Sequence, residues 1–152
     1  MRPEHVEMMK QRARNIALTI AYDGTNYHGF QRQTPPVLAV QNVLEGALAK
    51  ICGEMVELAA AGRTDAGVHA YGQVVNFFTD GRIPTEHLPR AVNGLLPPDI
   101  VVSQAWEAPR EFSARHSATG KAYVYRIEEC RVPNPFTRNY AWQIFQPLDH
   151  EA

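Results

Sequence analysis

The sequence is poor in cysteine and has no long apolar run. Cys52 and Cys130 are its only two cysteines, too few for a disulfide framework or a four-cysteine zinc site. No stretch approaches the roughly 20 apolar residues of a membrane-spanning helix, and the polar N-terminal segment lacks the apolar core of a secretory signal. The sequence therefore predicts a cytoplasmic protein without a membrane anchor.

An excess of charge of one sign is also lacking. The 15 basic residues nearly balance 16 acidic ones, so the net charge of −1 does not by itself indicate a nucleic-acid partner. Most of the basic residues are arginine, which suits bidentate phosphate contact and base stacking. The glycines match no nucleotide-binding loop, and no cofactor is predicted.

Apolar periodicity and turn residues predict a βαββαβ order in one domain over residues 15–152, preceded by a leader at residues 1–14. This order is typical of a ferredoxin-like α+β fold, with an antiparallel sheet, both helices on one face and the other face open. Alternation from Lys121 to Glu128 predicts a further strand. The predicted strands are 16–22, 57–61, 74–78 and 100–106, and the predicted helices are 40–51 and 84–95.

The segment Ala61–Ala70, AGRTDAGVHA, is the most informative stretch of the sequence. Its glycines permit tight turns, and Arg63 and Asp65 face the same way wherever the chain is extended. A cation beside a carboxylate keeps the carboxylate ionised, so Asp65 could act as nucleophile or general base. The same residues also form ordinary turns, and their types alone leave both interpretations open.

A metal site is a weaker interpretation of the donors in these loops. Asp23, His28, Asp65 and His69 lack a third ligand at a short, regular interval, and the nearby Arg63 would oppose a cation. The sequence therefore predicts no metal. His69 is expected to fix the loop by a hydrogen bond or to contact RNA.

The segment Ala61–Ala70 resembles the signature of the TruA-type tRNA pseudouridine synthases. Other segments resemble the same family in the same order, and together they extend over about residues 15–152. These segments are YDGTNYHGFQRQ at 22–33, VQNVLEGAL at 40–48, NGLLP at 93–97, FSAR at 112–115 and KAYVY at 121–125.

The resemblance implies that Asp65 is the catalytic carboxylate of an enzyme that isomerises uridine in the anticodon arm of tRNA, without cofactor or metal. It implies that Tyr123 stacks on the target uracil. Tyr125 is instead expected to pack against the sheet, since aromatics at period two more often do so. The further substrate contacts that the resemblance implies are Arg63, His69, Gln31, Arg32, Arg115 and Lys121.

Family members of the kind resembled are about twice this long, are built from two similar halves and form homodimers. The chain is expected to be the N-terminal half, with weak or no activity on its own. Two other functions stay open from the residues: a non-catalytic RNA-binding module, and a small hydrolase that uses Asp65 and His69.

Overall fold

The computed structural model describes residues 2–152 and contains two compact units. The first ends at Ala118, and the second extends from Thr119 to Ala152. Met1, which belongs to the predicted leader, lies outside the described residues. The helices are α1 (Pro3–Lys10), α2 (Val40–Cys52) and α3 (Leu88–Asn93), and the strands are β1 (Arg14–Tyr22), β2 (Ala59–Ala60), β3 (Ala70–Thr79), β4 (Ile100–Ala108), β5 (Ile127–Glu129) and β6 (Trp142–Ile144).

The first unit contains a four-stranded antiparallel sheet in the order β2-β3-β1-β4. With α2 between β1 and β2, and α3 between β3 and β4, the element order is the predicted βαββαβ. The α+β prediction is therefore confirmed. Strand β1 lies between β3 and β4, and most of its side chains are buried on both faces of the sheet.

One face of β1 forms the core of the first unit. Ile16, Leu18 and Ile20 are fully buried and cluster with Leu44 and Leu48 of α2. Helix α2 follows the predicted apolar periodicity and ends at Gly53, whose φ of 70° suits glycine at a helix C-terminus. The predicted second helix is shorter than expected, with a 3-10 turn at Thr85–His87 before α3.

The other face of the sheet is partly covered, although the sequence predicts that it is open. Asn15 and Asn76 are buried on this face, and the Asn76 amide donates to Asn15 at 2.9 Å. Asn15 also donates to the carbonyl of Phe112 at 2.9 Å, and the amide of Ala114 donates to Asn76 at 2.8 Å. Buried amide side chains thus fasten residues 109–114 to the sheet, and Arg115 follows directly.

In the second unit, the prediction of a strand from Lys121 to Glu128 is wrong for most of its length. Only Ile127–Glu129 forms a strand, which pairs in parallel with Trp142–Ile144. A strand needs a neighbour for its backbone N–H and C=O groups, and within residues 2–152 no strand pairs with residues 121–126. The expected packing of Tyr125 is also wrong, because its side chain is 90% exposed.

The leader contains helix α1, which has no buried residue. This part of the predicted leader is therefore a short helix outside the core. None of the helices within residues 2–152 combines the length and apolar character needed to cross a bilayer.

Candidate active site

The loop that connects β2 to β3 presents Asp65 to solvent. A turn closes where the Val68 amide donates to the Asp65 carbonyl at 3.1 Å, and Gly67 has a φ of 78°. Left-handed backbone of this kind favours glycine. The Asp65 side chain is exposed, so its carboxylate can meet a ligand from outside.

Main-chain hydrogen bonds hold this loop against the segment that follows β1. The Phe30 amide donates to the Thr64 carbonyl at 3.0 Å, and the Gly67 amide donates to the Tyr27 carbonyl at 3.2 Å. The first bond is made by the residue immediately before Asp65. The second is made by the residue two positions after it. The exposed carboxylate therefore stands on a backbone that is fixed on both sides.

Two glycines of the segment after β1 allow this close approach. A Cβ on Gly24 would lie 2.0 Å from the Val68 carbonyl oxygen, and one on Gly29 would lie 2.8 Å from that of Thr64. Gly29 also has a φ of 83°. In the sequence these glycines stand out only as part of a motif, although paired glycines in a loop are a signal of close backbone contact.

Two tyrosines, which the sequence did not assign to the site, anchor the same region. The Tyr22 hydroxyl lies 2.7 Å from Thr64 Oγ1, and burial raises the pKa of the Tyr22 phenol. Tyr27 donates to Asp99 Oδ1 at 2.6 Å, and burial and then Asp99 raise its pKa. Both phenols are therefore neutral near pH 7 and act as fixed hydrogen-bonding groups.

His69 contributes to the same loop packing. Its Nδ1 accepts a hydrogen bond from the Gly24 amide at 2.9 Å and lies 3.1 Å from Asp23 Oδ1. Asp23 Oδ1 also accepts from the Thr25 amide at 3.0 Å. This ring nitrogen is therefore occupied within the protein, which fits the expectation that His69 fixes the loop.

A groove of about 470 Å³ brings together four of the predicted substrate contacts, Gln31, Arg32, Arg63 and Arg115. Arg63 and Arg115 are exposed, and within residues 2–152 neither guanidinium forms a hydrogen bond or an ion pair. The expected pairing of Arg63 with Asp65 is thus not among the contacts of the described residues. Both guanidinium groups are available to an anion.

Arg32 differs from the other two arginines of the groove. Its Nε and Nη2 donate to Glu45 Oε2 and Oε1, each at 2.8 Å. Glu45 is buried on α2, and the hydrogen bonds that Arg32 donates to this carboxylate are the main reason that the pKa of Arg32 is raised.

Lys121 and Tyr123 lie in the second unit. Both side chains are exposed, Tyr123 by 69%. An exposed aromatic ring can stack on a nucleobase, and an exposed ammonium group can contact a phosphate. These two residues remain predicted substrate contacts.

Among residues 2–152, no group of three or more His, Cys, Asp and Glu side chains is arranged to hold a metal ion. Asp23 and His69 approach each other through the contact described above. Their hydrogen bonds to the Thr25 and Gly24 amides assign them to the loop packing.

Comparison with protein families gives a match over residues 18–117 to a family described as tRNA pseudouridine synthase. This range includes Asp65, the two glycines that approach its loop, and the groove. It ends before Lys121 and Tyr123.

Curated proteins named tRNA pseudouridine synthase A are similar to nearly the whole chain. One from Thermoanaerobacter sp. strain X514 is 50% identical over 138 residues, which are 91% of this chain and 56% of the relative. One from Caldicellulosiruptor saccharolyticus is 49% identical over 136 residues, which are 90% of this chain and 55% of the relative. One from Roseiflexus sp. strain RS-1 is 48% identical over 139 residues, which are 91% of this chain and 51% of the relative. The chain thus spans about half the length of these relatives.

Proposed function

The chain belongs to the tRNA pseudouridine synthase family, and we propose that it provides the catalytic carboxylate for isomerising uridine to pseudouridine in tRNA. In this reaction the N1–C1′ bond breaks and a C5–C1′ bond forms. The proton on C5 leaves, and N1 gains one, so the change is redox-neutral and needs no cofactor. The proposed substrate region is the anticodon arm.

The observation that carries the proposal is the exposed Asp65 carboxylate on a loop whose backbone is held at Thr64 and Gly67. A reacting carboxylate must be both reachable and fixed in position, because small displacements of a catalytic group slow the reaction strongly. Asp65 meets both requirements. It would act on the uridine as nucleophile or as general base.

Tyr123 is proposed to receive the target base. A uridine inside a helical stack must leave it before its glycosidic bond can be rearranged, which costs a few kcal/mol. Stacking on an aromatic side chain returns about 1–3 kcal/mol of that cost. The exposed ring of Tyr123 is suited to this role.

The groove is proposed to hold the RNA backbone near the target. Arg63 and Arg115 supply two guanidinium groups without partners in the described residues, and the Gln31 amide lies along the same groove. Lys121 is proposed as a further phosphate contact in the second unit. We also propose that the enzyme is cytoplasmic and works as a homodimer.

The proposed activity belongs to the whole enzyme, and the 152 residues alone should turn over slowly. We suggest a chimaera in which this chain replaces the matching half of the Thermoanaerobacter relative, which is 50% identical to it. Tritium release from tRNA carrying C5-labelled uridine then measures isomerisation, because the C5 proton leaves in every turnover.

Asp65→Asn in the chimaera should abolish tritium release while leaving tRNA affinity within about twofold, because the amide keeps the shape and loses the reactive charge. Glu86→Gln, which also removes one exposed negative charge from the first unit, is the matched control and should keep wild-type turnover. Turnover that persists in Asp65→Asn would refute the assignment of catalysis to this loop. Normal tRNA binding without isomerisation by the unmutated chimaera would favour the RNA-binding module instead.

A further inference from the structure

We infer that Arg32 is a positioning residue that fastens the segment after β1 to helix α2, and that it does not contact tRNA phosphate. The inference rests on the proposed function only for the role of Asp65, whose loop the fastened segment supports.

Arg32 and Glu45 form a two-pronged ion pair. Two parallel hydrogen bonds of 2.8 Å join the guanidinium to both oxygens of the carboxylate. This fork geometry is among the strongest arrangements available to arginine. The Arg32 side chain is only 30% exposed and that of Glu45 only 10%, so water screens the pair weakly.

Glu45 depends on Arg32 for its charge balance. Glu45 Oε1 also accepts hydrogen bonds from Gln41 Nε2 at 2.8 Å and from the Leu58 amide at 2.9 Å. These donors are neutral, so Arg32 supplies the positive charge. If Arg32 turned away to a phosphate, it would leave a buried carboxylate without its cation, which is strongly unfavourable.

A second carboxylate lies close to the Arg32 guanidinium. Glu57 Oε1 lies 3.9 Å from Arg32 Nη2, so two carboxylates surround one guanidinium. Because these carboxylates already balance the charge of the Arg32 guanidinium, an additional anion would gain little attraction from it. Arg63 and Arg115 line the same groove without such partners, which makes them the better phosphate contacts.

The fastened segment leads directly to the catalytic loop. The Arg32 amide donates to Gln41 Oε1 at 2.9 Å, and the Gln41 amide donates to the Phe30 carbonyl at 2.9 Å. The Phe30 amide in turn donates to the Thr64 carbonyl at 3.0 Å, one residue before Asp65. A loss of the Arg32 pair should therefore loosen the backbone at Asp65.

A double-mutant cycle in the 152-residue chain tests the pair without RNA. Arg32→Gln should lower the urea midpoint of the first unit, and adding Glu45→Gln should restore about tenfold or more in the folding equilibrium constant, because no buried charge then lacks its partner. Arg115→Gln, an exposed arginine of the same groove, is the matched control and should leave the midpoint unchanged. Equal midpoints for wild type, both single variants and the double variant would overturn the inference.

Amide hydrogen exchange followed by NMR separates local positioning from general destabilisation. In Arg32→Gln, protection of the Phe30 amide should fall by a larger factor than that of Leu18 in the core of β1. Arg32→Lys, which keeps the charge but not the fork, should show the same local loss and serves if the glutamine variant does not fold. Parallel changes at Phe30 and Leu18 would contradict a positioning role.

The salt dependence of tRNA binding tests the second half of the inference. Each phosphate contact contributes about 0.7–0.9 to the slope of log K against log salt concentration. Arg63→Gln and Arg115→Gln should each reduce the slope by about this amount, and Arg32→Gln should leave it unchanged. A reduction with Arg32→Gln equal to that of Arg115→Gln would refute the inference. If the wild-type chain and the chimaera both fail to bind tRNA, the proposed function is wrong, and the double-mutant cycle still decides the role of Arg32.

Discussion

Gly24→Ala should displace the loop that carries Asp65, although the two residues are far apart in sequence. The added Cβ would lie 2.0 Å from the Val68 carbonyl oxygen and 2.8 Å from its carbon, whereas ordinary contact begins at 3.4 Å. Both sides of this contact are backbone, so no side chain can rotate away to relieve it. The two segments must separate by more than 1 Å.

The structure sets the size of the expected effect. Overpacking of this kind costs about 1–3 kcal/mol of the free energy of unfolding. With a urea dependence of roughly 1–3 kcal/mol per molar for a small protein, the unfolding midpoint should fall by about 1 M. A catalytic group misplaced by about 1 Å slows the reaction on the order of 100-fold, so turnover in the chimaera should fall more than stability alone would require.

Urea unfolding of the chain and tritium release by the chimaera measure the two effects, and two other glycines provide controls. Gly46 lies inside α2 with nothing near its missing Cβ, so Gly46→Ala should stabilise the chain by about 0.5–1 kcal/mol. Gly53 has a φ of 70°, and an added Cβ there would meet no other atom within 4 Å. Gly53→Ala therefore measures the cost of backbone strain without a steric clash. Wild-type stability and turnover in Gly24→Ala would refute the close contact between the two loops.

Two further predictions concern the tyrosines that anchor the site. Tyr22→Phe removes the hydrogen bond to Thr64 Oγ1 and should lower the free energy of unfolding by about 1 kcal/mol in urea titration, whereas the exposed Tyr125→Phe should not. Burial and the neighbouring Asp99 raise the pKa of Tyr27, so the unfolded state loses this proton first as pH increases. The free energy of unfolding should therefore be retained below about pH 10 and fall above it. Tyr27→Phe should make that fall less steep in unfolding measurements across the alkaline range. The same dependence of stability on pH in wild type and Tyr27→Phe would contradict the assignment.

Much of the fold could be predicted because local pattern and tertiary packing agree. The three- and four-residue spacing of apolar side chains in α2 matches the face that Leu44 and Leu48 bury, and the helix ends at Cys52, one residue after the predicted end at residue 51. The prediction of a strand from Lys121 to Glu128 was wrong because local pattern and tertiary packing disagree there. Alternation describes a strand that has a neighbour, and residues 121–126 pair with no strand in the described part of the chain.

The candidate site was only partly predictable for a different physical reason. The exposed loop with Asp65 could be identified from its glycines and polar residues, whereas its supports depend on contacts between distant segments. Nothing in the spacing of Arg32 and Glu45 indicates a two-pronged ion pair, because the two residues lie on different elements. The sequence identifies residues suited to phosphate, and only the geometry shows which of them is already engaged.

The segment after β1 and the loop before β3 are best understood as one structural unit. Gly24 and Gly29 have no side chain where the two backbones meet. Main-chain hydrogen bonds made by Thr64 and Gly67 join the two segments, and the Tyr22 hydroxyl adds a side-chain contact. Each of these features constrains the backbone next to Asp65 and leaves its carboxylate exposed. Because the bonds that hold this loop are made by main-chain groups of Thr64 and Gly67 and by the Thr64 hydroxyl, a ligand can engage the Asp65 carboxylate without breaking them.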